Sequence, residues 1–100
     1  MNADRDFDST LIRRGVQATT ISEMTRFVET MDRRPLDKLL EDLPGFAVFS
    51  ETKFSLARAV LRRRMRSLDE VDRAQLRVLA TEVASAEKDD VAQRITAIFE

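Results

Sequence analysis

An all-α fold, a compact bundle of five to six short helices, is what this 100-residue chain predicts, and three observations point to it. Only two glycines and two prolines are present, one of each joined as Pro44-Gly45, so the residues that tight hairpin turns need are scarce. Ala, Leu, Arg and Glu, all good helix formers, are common. Apolar residues recur at three- and four-residue intervals, the period of one buried helix face. This length supports one modest core, so residues 8–100 are expected to form a single domain behind a frayed N-terminus at 1–7.

The first element is a short amphipathic stretch from Asp8 to Arg14 that presents Leu11 and Ile12 and stops at Gly15. Thr20 and Glu23 have capping-box spacing and open the next helix, where Ile21, Met24, Val28 and Met31, flanked by Phe27, run to about Arg33. Pro35 ends that helix and is tolerated in the first turn of another, built on Leu36, Leu39, Leu40 and Leu43 and stopped by Pro44-Gly45. Asp37, Glu41 and Asp42 line its outer face. Phe46, Ala47, Val48 and Phe49 read as an apolar connector packed under neighbouring helices.

Ser50 caps the following helix, whose seam is Phe54, Ala57, Leu61, Met65 and Leu68, widened by Leu56 and Val60. Ser67 and Glu70 again have capping-box spacing, which predicts a break and a helix from Leu68 to about Ala86 carrying Val71, Leu76, Val78, Leu79 and Val83. No Gly or Pro separates Ser50 from Ala86, so one uninterrupted helix is the alternative. A last helix, from about Glu87, places Val91, Ile95 and Ile98 on one face with Phe99 beside them. Its acidic start, Glu87, Asp89 and Asp90, suits the positive end of a helix dipole. The expected core is Met24, Phe27, Val28, Leu39, Leu40, Phe46, Phe49, Phe54, Leu61, Leu76, Leu79, Val83, Ile95 and Ile98.

Composition narrows the function. With no Cys there is neither a disulfide framework nor a thiolate metal site, and a reduced, cytoplasmic setting is expected. Met1 to Asp8 is polar and acidic, unlike a secretory signal, and no apolar run approaches the roughly 20 residues of a membrane span. No membrane association is therefore expected. Without His, Cys, Tyr or Trp, the usual base near neutral pH is missing, and an enzyme is not expected. Ser50 and Lys53 share a helical face, as do Ser85 and Lys88, but both serines read as helix caps. The carboxylates at Asp69, Glu70 and Asp72, and at Glu87, Asp89 and Asp90, lack the Gly and terminal Glu of a calcium loop and read as helix starts. Neither glycine lies in a phosphate-binding loop, and no metal, cofactor or small-molecule substrate is predicted.

What remains is charge. Lys53 to Leu68 carries Lys53, Arg58, Arg62, Arg63, Arg64 and Arg66 with no acid, a charge of +6, against −3 in residues 1–52 and −4 in 69–100. On a helical wheel Arg58, Arg62 and Arg66 lie together opposite the apolar seam, with Arg63 nearby. Arg64 instead falls inside the apolar arc of its helix, and Asp72, Gln75 and Glu82 inside that of the next. Arg64, Asp72 and Glu82 are therefore candidates for an ion pair, buried in the monomer or placed in a subunit interface.

Asp72-Arg73-Ala74-Gln75-Leu76-Arg77-Val78-Leu79-Ala80 resembles the helix that opens the winged-helix motif of MarR-type transcription regulators, with Val91 to Ile95 in the place of the next helix. The resemblance stops short of a recognition helix, so it assigns no residue role. The helix count alone is similar to that of death-fold adaptor domains.

The expected function is binding: a protein-interaction or regulatory adaptor that docks Arg58, Arg62, Arg63 and Arg66 on an acidic surface, of a partner protein or of another copy. The alternative is a small nucleic-acid-binding regulator using the same arginines, against which an overall pI near 5.5 counts.

Overall fold

The structure, a computed structural model, describes the backbone from Ser9 to Glu100 and the side chains from Ile21 onward. Five helices and no strand occur among these residues: α1 (Ser9–Arg33), α2 (Leu36–Phe49), α3 (Glu51–Met65), α4 (Glu70–Ser85) and α5 (Asp89–Ala97). The all-α bundle predicted from composition and spacing is the observed fold. The frayed segment expected at 1–7 lies outside the described residues, as do the side chains of Leu11 and Ile12.

The two glycines do not act as stops. α1 runs through Gly15, and Thr20, expected as a cap, falls inside it. A helical Gly costs only about 1 kcal/mol relative to Ala, which the rest of a 25-residue helix can offset. α2 likewise continues through Pro44-Gly45 for another turn. Leu39, Leu40 and Leu43 before the proline are fully buried and Phe46 and Ala47 beyond it pack against the core, so tertiary contact holds a turn that local preference disfavours. The expected plug from Phe46 to Phe49 is therefore the last turn of α2. Its period of 3.6 turns Phe49 outward, to 88% exposure, and removes it from the core.

Other boundaries follow identifiable caps. Pro35 precedes α2 in an extended conformation, and its carbonyl accepts Leu39 N at 2.9 Å. Ser50 closes α2 through its N–H to Phe46 O (2.8 Å) and opens α3 by accepting Lys53 N on its hydroxyl (3.2 Å), so one residue serves two helices. The chain does break after α3, which excludes the uninterrupted helix, but the cap of α4 is Asp69 rather than Ser67. Its carboxylate accepts Asp72 N at 2.8 Å. Ser85 ends α4, donating to Glu82 O, and Lys88 rather than Ser85 precedes α5. Asp89 and Asp90 form the acidic first turn expected of α5.

α2 is the hub: it packs against α3, α4 and α5, while α1 lies on α3 and α5 pairs with α4. The fully buried centre is Phe54, Leu39, Leu40, Leu43, Leu61 and Ile95. Met31, Ala57, Val60, Ala80, Ala84 and Val91, absent from the expected core, are buried as well. Met24, Phe27, Val28, Phe46, Leu79 and Val83 are half-buried around that centre. Phe27 of α1 meets Phe46 of α2 edge to face, with centroids 5.2 Å apart, a favoured aromatic geometry.

Candidate partner-binding face

The buried side of α4 is set by Leu76, Ala80 and Ala84, with Leu79 and Val83 flanking. At about 100° per residue this turns Val71, Gln75, Val78 and Glu82 outward together. Small alanines, which weigh little in an apolar pattern, mark the real contact face. Gln75 and Glu82 thus lie on the exposed side, while Asp72 is exposed in the first turn, next to its cap.

The predicted ion pair between Arg64 and Asp72 or Glu82 does not form. The Arg64 guanidinium crosses from α3 to the end of α1, where Nη1 donates to Met31 O and to Arg34 O, both at 2.6 Å. The last carbonyls of a helix lack partners within it and carry the negative end of its dipole, so a half-buried cation is favourable there. Arg64 sits inside an apolar arc because its target is backbone. Beside it, Arg34 Nη2 donates to Asp42 at 3.2 Å and ties the α1–α2 joint to the outer face of α2.

The basic ridge is likewise divided by its contacts. Arg63 pairs with Asp32 of α1. Arg58 lies with its guanidinium carbon 5.8 Å from the ring centroid of Phe54, and Lys53 is 5.8 Å from that of Phe27. Arg94 of α5 approaches the Phe54 ring more closely, at 4.1 Å, and pairs with Glu51, which fastens α5 to the start of α3. Arg62 and Arg66 are exposed and have no ion-pair partner among the described residues.

These two arginines meet a third that the ridge did not include. Arg62, Arg66 and Arg73, the last from α4, line one shallow depression with Met65, Ile98 and Glu100. Arg73 is oriented by a hydrogen bond from Nη2 to Leu68 O at 2.6 Å, which spans the turn between α3 and α4. Its Nε is sealed from solvent and has no hydrogen-bond partner. The site therefore offers three cationic forks over an apolar floor. Arg73 could not be found from helical spacing, because the turn at Arg66–Asp69 decides which side of α4 faces the end of α3.

Large apolar side chains are also exposed: Phe49 and Val48 at the end of α2, Ile21 on α1, and Val71 and Val78 on the outer side of α4. Among the described residues no group of carboxylates is arranged to hold a metal ion, and no helix is long and apolar enough to cross a membrane.

Compared with known proteins, the chain matches no family model, no curated protein and no solved structure. The residues behind the winged-helix resemblance are helical, Asp72–Ala80 in α4 and Val91–Ile95 in α5.

Proposed function

We propose that the chain is a non-enzymatic, intracellular interaction module that docks an acidic protein surface, of a partner or of a second copy, on the end of α3. The observation that carries this reading is the depression in which Arg62 of α3 and Arg66 just past its end converge with Arg73 of α4 over Met65 and Ile98. An apolar floor inside a charged rim is the arrangement of a small protein-docking site, in which burial supplies affinity and charge sets orientation and on-rate. Arg58 extends the basic face along α3, whereas Arg63 is already paired with Asp32 and contributes less.

Nucleic acid is the weaker reading because the chain is acidic overall, with a pI near 5.5, and Arg63 of the ridge is already paired with Asp32. A protein that tracks a phosphate backbone needs a longer run of cations than this short cluster. The test is affinity capture with identified partners, comparing the native chain with an Arg58→Glu/Arg62→Glu/Arg66→Glu variant of unchanged helicity. Acidic proteins retained by the native chain, lost from the variant and resistant to competing duplex DNA are the expected result. Capture that survives charge reversal would reject the site. Displacement by DNA, with DNA binding that collapses between about 50 and 200 mM salt, would replace a protein partner with nucleic acid.

A further inference from the structure

We infer that the Arg62–Arg66–Arg73 depression is an oxyanion site that takes a phosphomonoester on an apolar stem, presented by a phosphorylated side chain of the partner. The inference rests on the docking reading above and names the group that anchors it.

Three features select that chemistry. First, the depression is lined by three guanidinium groups against the side chain of one acid, Glu100, so cations are in excess. A phosphomonoester carries a charge of about −1.5 to −2 at neutral pH and is drawn to three guanidinium groups more strongly than a carboxylate or a phosphodiester, which carries only one. Second, Arg73 is held at the edge of the depression by the bond from its Nη2 to Leu68 O. A guanidinium already oriented in this way loses less freedom when an acceptor arrives at its open edge. Guanidinium forks also match the spacing of phosphate oxygens, and charge-assisted bonds of this kind are the strong ones. Third, Met65 and Ile98 supply apolar surface beside the cations, which a stem such as a phenyl ring covers and a bare inorganic anion does not.

Contact at Arg73 can be read directly from its Nε–Hε resonance in 1H–15N spectra of the full chain, with phenyl phosphate, inorganic phosphate and benzoate titrated at constant ionic strength. Phenyl phosphate is expected to shift that resonance saturably, roughly tenfold more tightly than benzoate and more tightly than inorganic phosphate. The double variant Arg62→Ala/Arg66→Ala, altered only at exposed positions, is expected to lose the shift while keeping its melting temperature. A phosphotyrosine peptide with acidic flanks should bind more tightly than free phenyl phosphate; equal binding would make this a site for a free small phosphate ester and overturn the partner-borne source. Equal affinity for benzoate and phenyl phosphate would overturn the phosphomonoester and leave a carboxylate-docking face. Absence of any saturable shift would overturn the site. Captured acidic partners that stay bound after phosphatase treatment would remove the phosphoryl anchor yet leave the docking reading intact, so the two fail separately.

Discussion

Arg64 shows how one side chain can be legible in sequence as an anomaly while its purpose is not. Its place in the apolar arc of α3 marks it as out of pattern, and the natural partner to seek is a carboxylate. The atoms it meets are the carbonyls of Met31 and Arg34, more than two dozen residues away and indistinguishable in sequence from any other backbone oxygen. Hydrogen bonds from a charged donor contribute about 1.5–3 kcal/mol, and Arg64→Ala leaves carbonyls at the end of α1 without that donor. Arg64→Ala is therefore expected to lower unfolding stability by about 2 kcal/mol in denaturant titration, while Arg62→Ala, on the exposed side of the same helix, stays within about 0.5 kcal/mol. Equal small changes at both positions would mean that the α1 end is satisfied without Arg64.

At the scale of the element, α2 carries the sharpest conflict between local preference and tertiary packing. Pro44 removes the N–H that would bond back to Leu40, and an interior proline costs a helix about 3 kcal/mol. A Cβ built on Gly45 meets nothing within 4 Å, and the residue lies in a continuous helix. Gly45→Ala is expected to raise stability by about 0.5–1 kcal/mol, and Pro44→Ala to raise it by about 1 kcal/mol or more, read as higher melting temperatures. If both lower it, the chain turns at Pro44-Gly45 as local preference alone would have it. The α3–α4 break makes the opposite comparison. Asp69→Ala removes a cap and should cost about 1 kcal/mol, whereas Ser67→Ala, which caps nothing, should cost a few tenths. α3, α4 and α5 are readable to within about two residues of their starts, because Ser50, Asp69 and the Asp89-Asp90 pair act locally, through side-chain hydrogen bonds or the helix dipole. α1 and α2 are not, because their continuation through Gly15 and Pro44-Gly45 depends on the whole helix and on contacts from other elements. The same limit governs the site: Arg62 and Arg66 follow from i, i+4 spacing, while Arg73 enters only through the turn that joins two helices.

Across the whole molecule the helices are unequally secured. α2 contributes three fully buried leucines and touches α3, α4 and α5, whereas the described part of α1 has Met31 alone in the buried core and packs mainly on α3. Releasing the described part of α1 exposes less apolar surface than releasing α2, so α1 is expected to open below the global unfolding free energy, with α2, α4 and α5 remaining folded together. Ile95, fully buried in α5, separates the two events. Ile95→Val destabilises the native and the α1-open states alike, by about 1 kcal/mol relative to the unfolded chain. Native-state hydrogen exchange should therefore accelerate about fivefold at the slowest amides of α2, α4 and α5 and stay unchanged across Ile21–Met31 of α1. Arg64→Ala acts on the native state alone, because its bonds to α1 are already broken once that helix opens, and it should accelerate both groups of amides. An Ile95→Val variant in which α1 exchanges faster by the same factor as α4 would show that α1 opens only with the rest of the molecule, and that the Arg64 and Arg63 contacts bind it into a single cooperative unit.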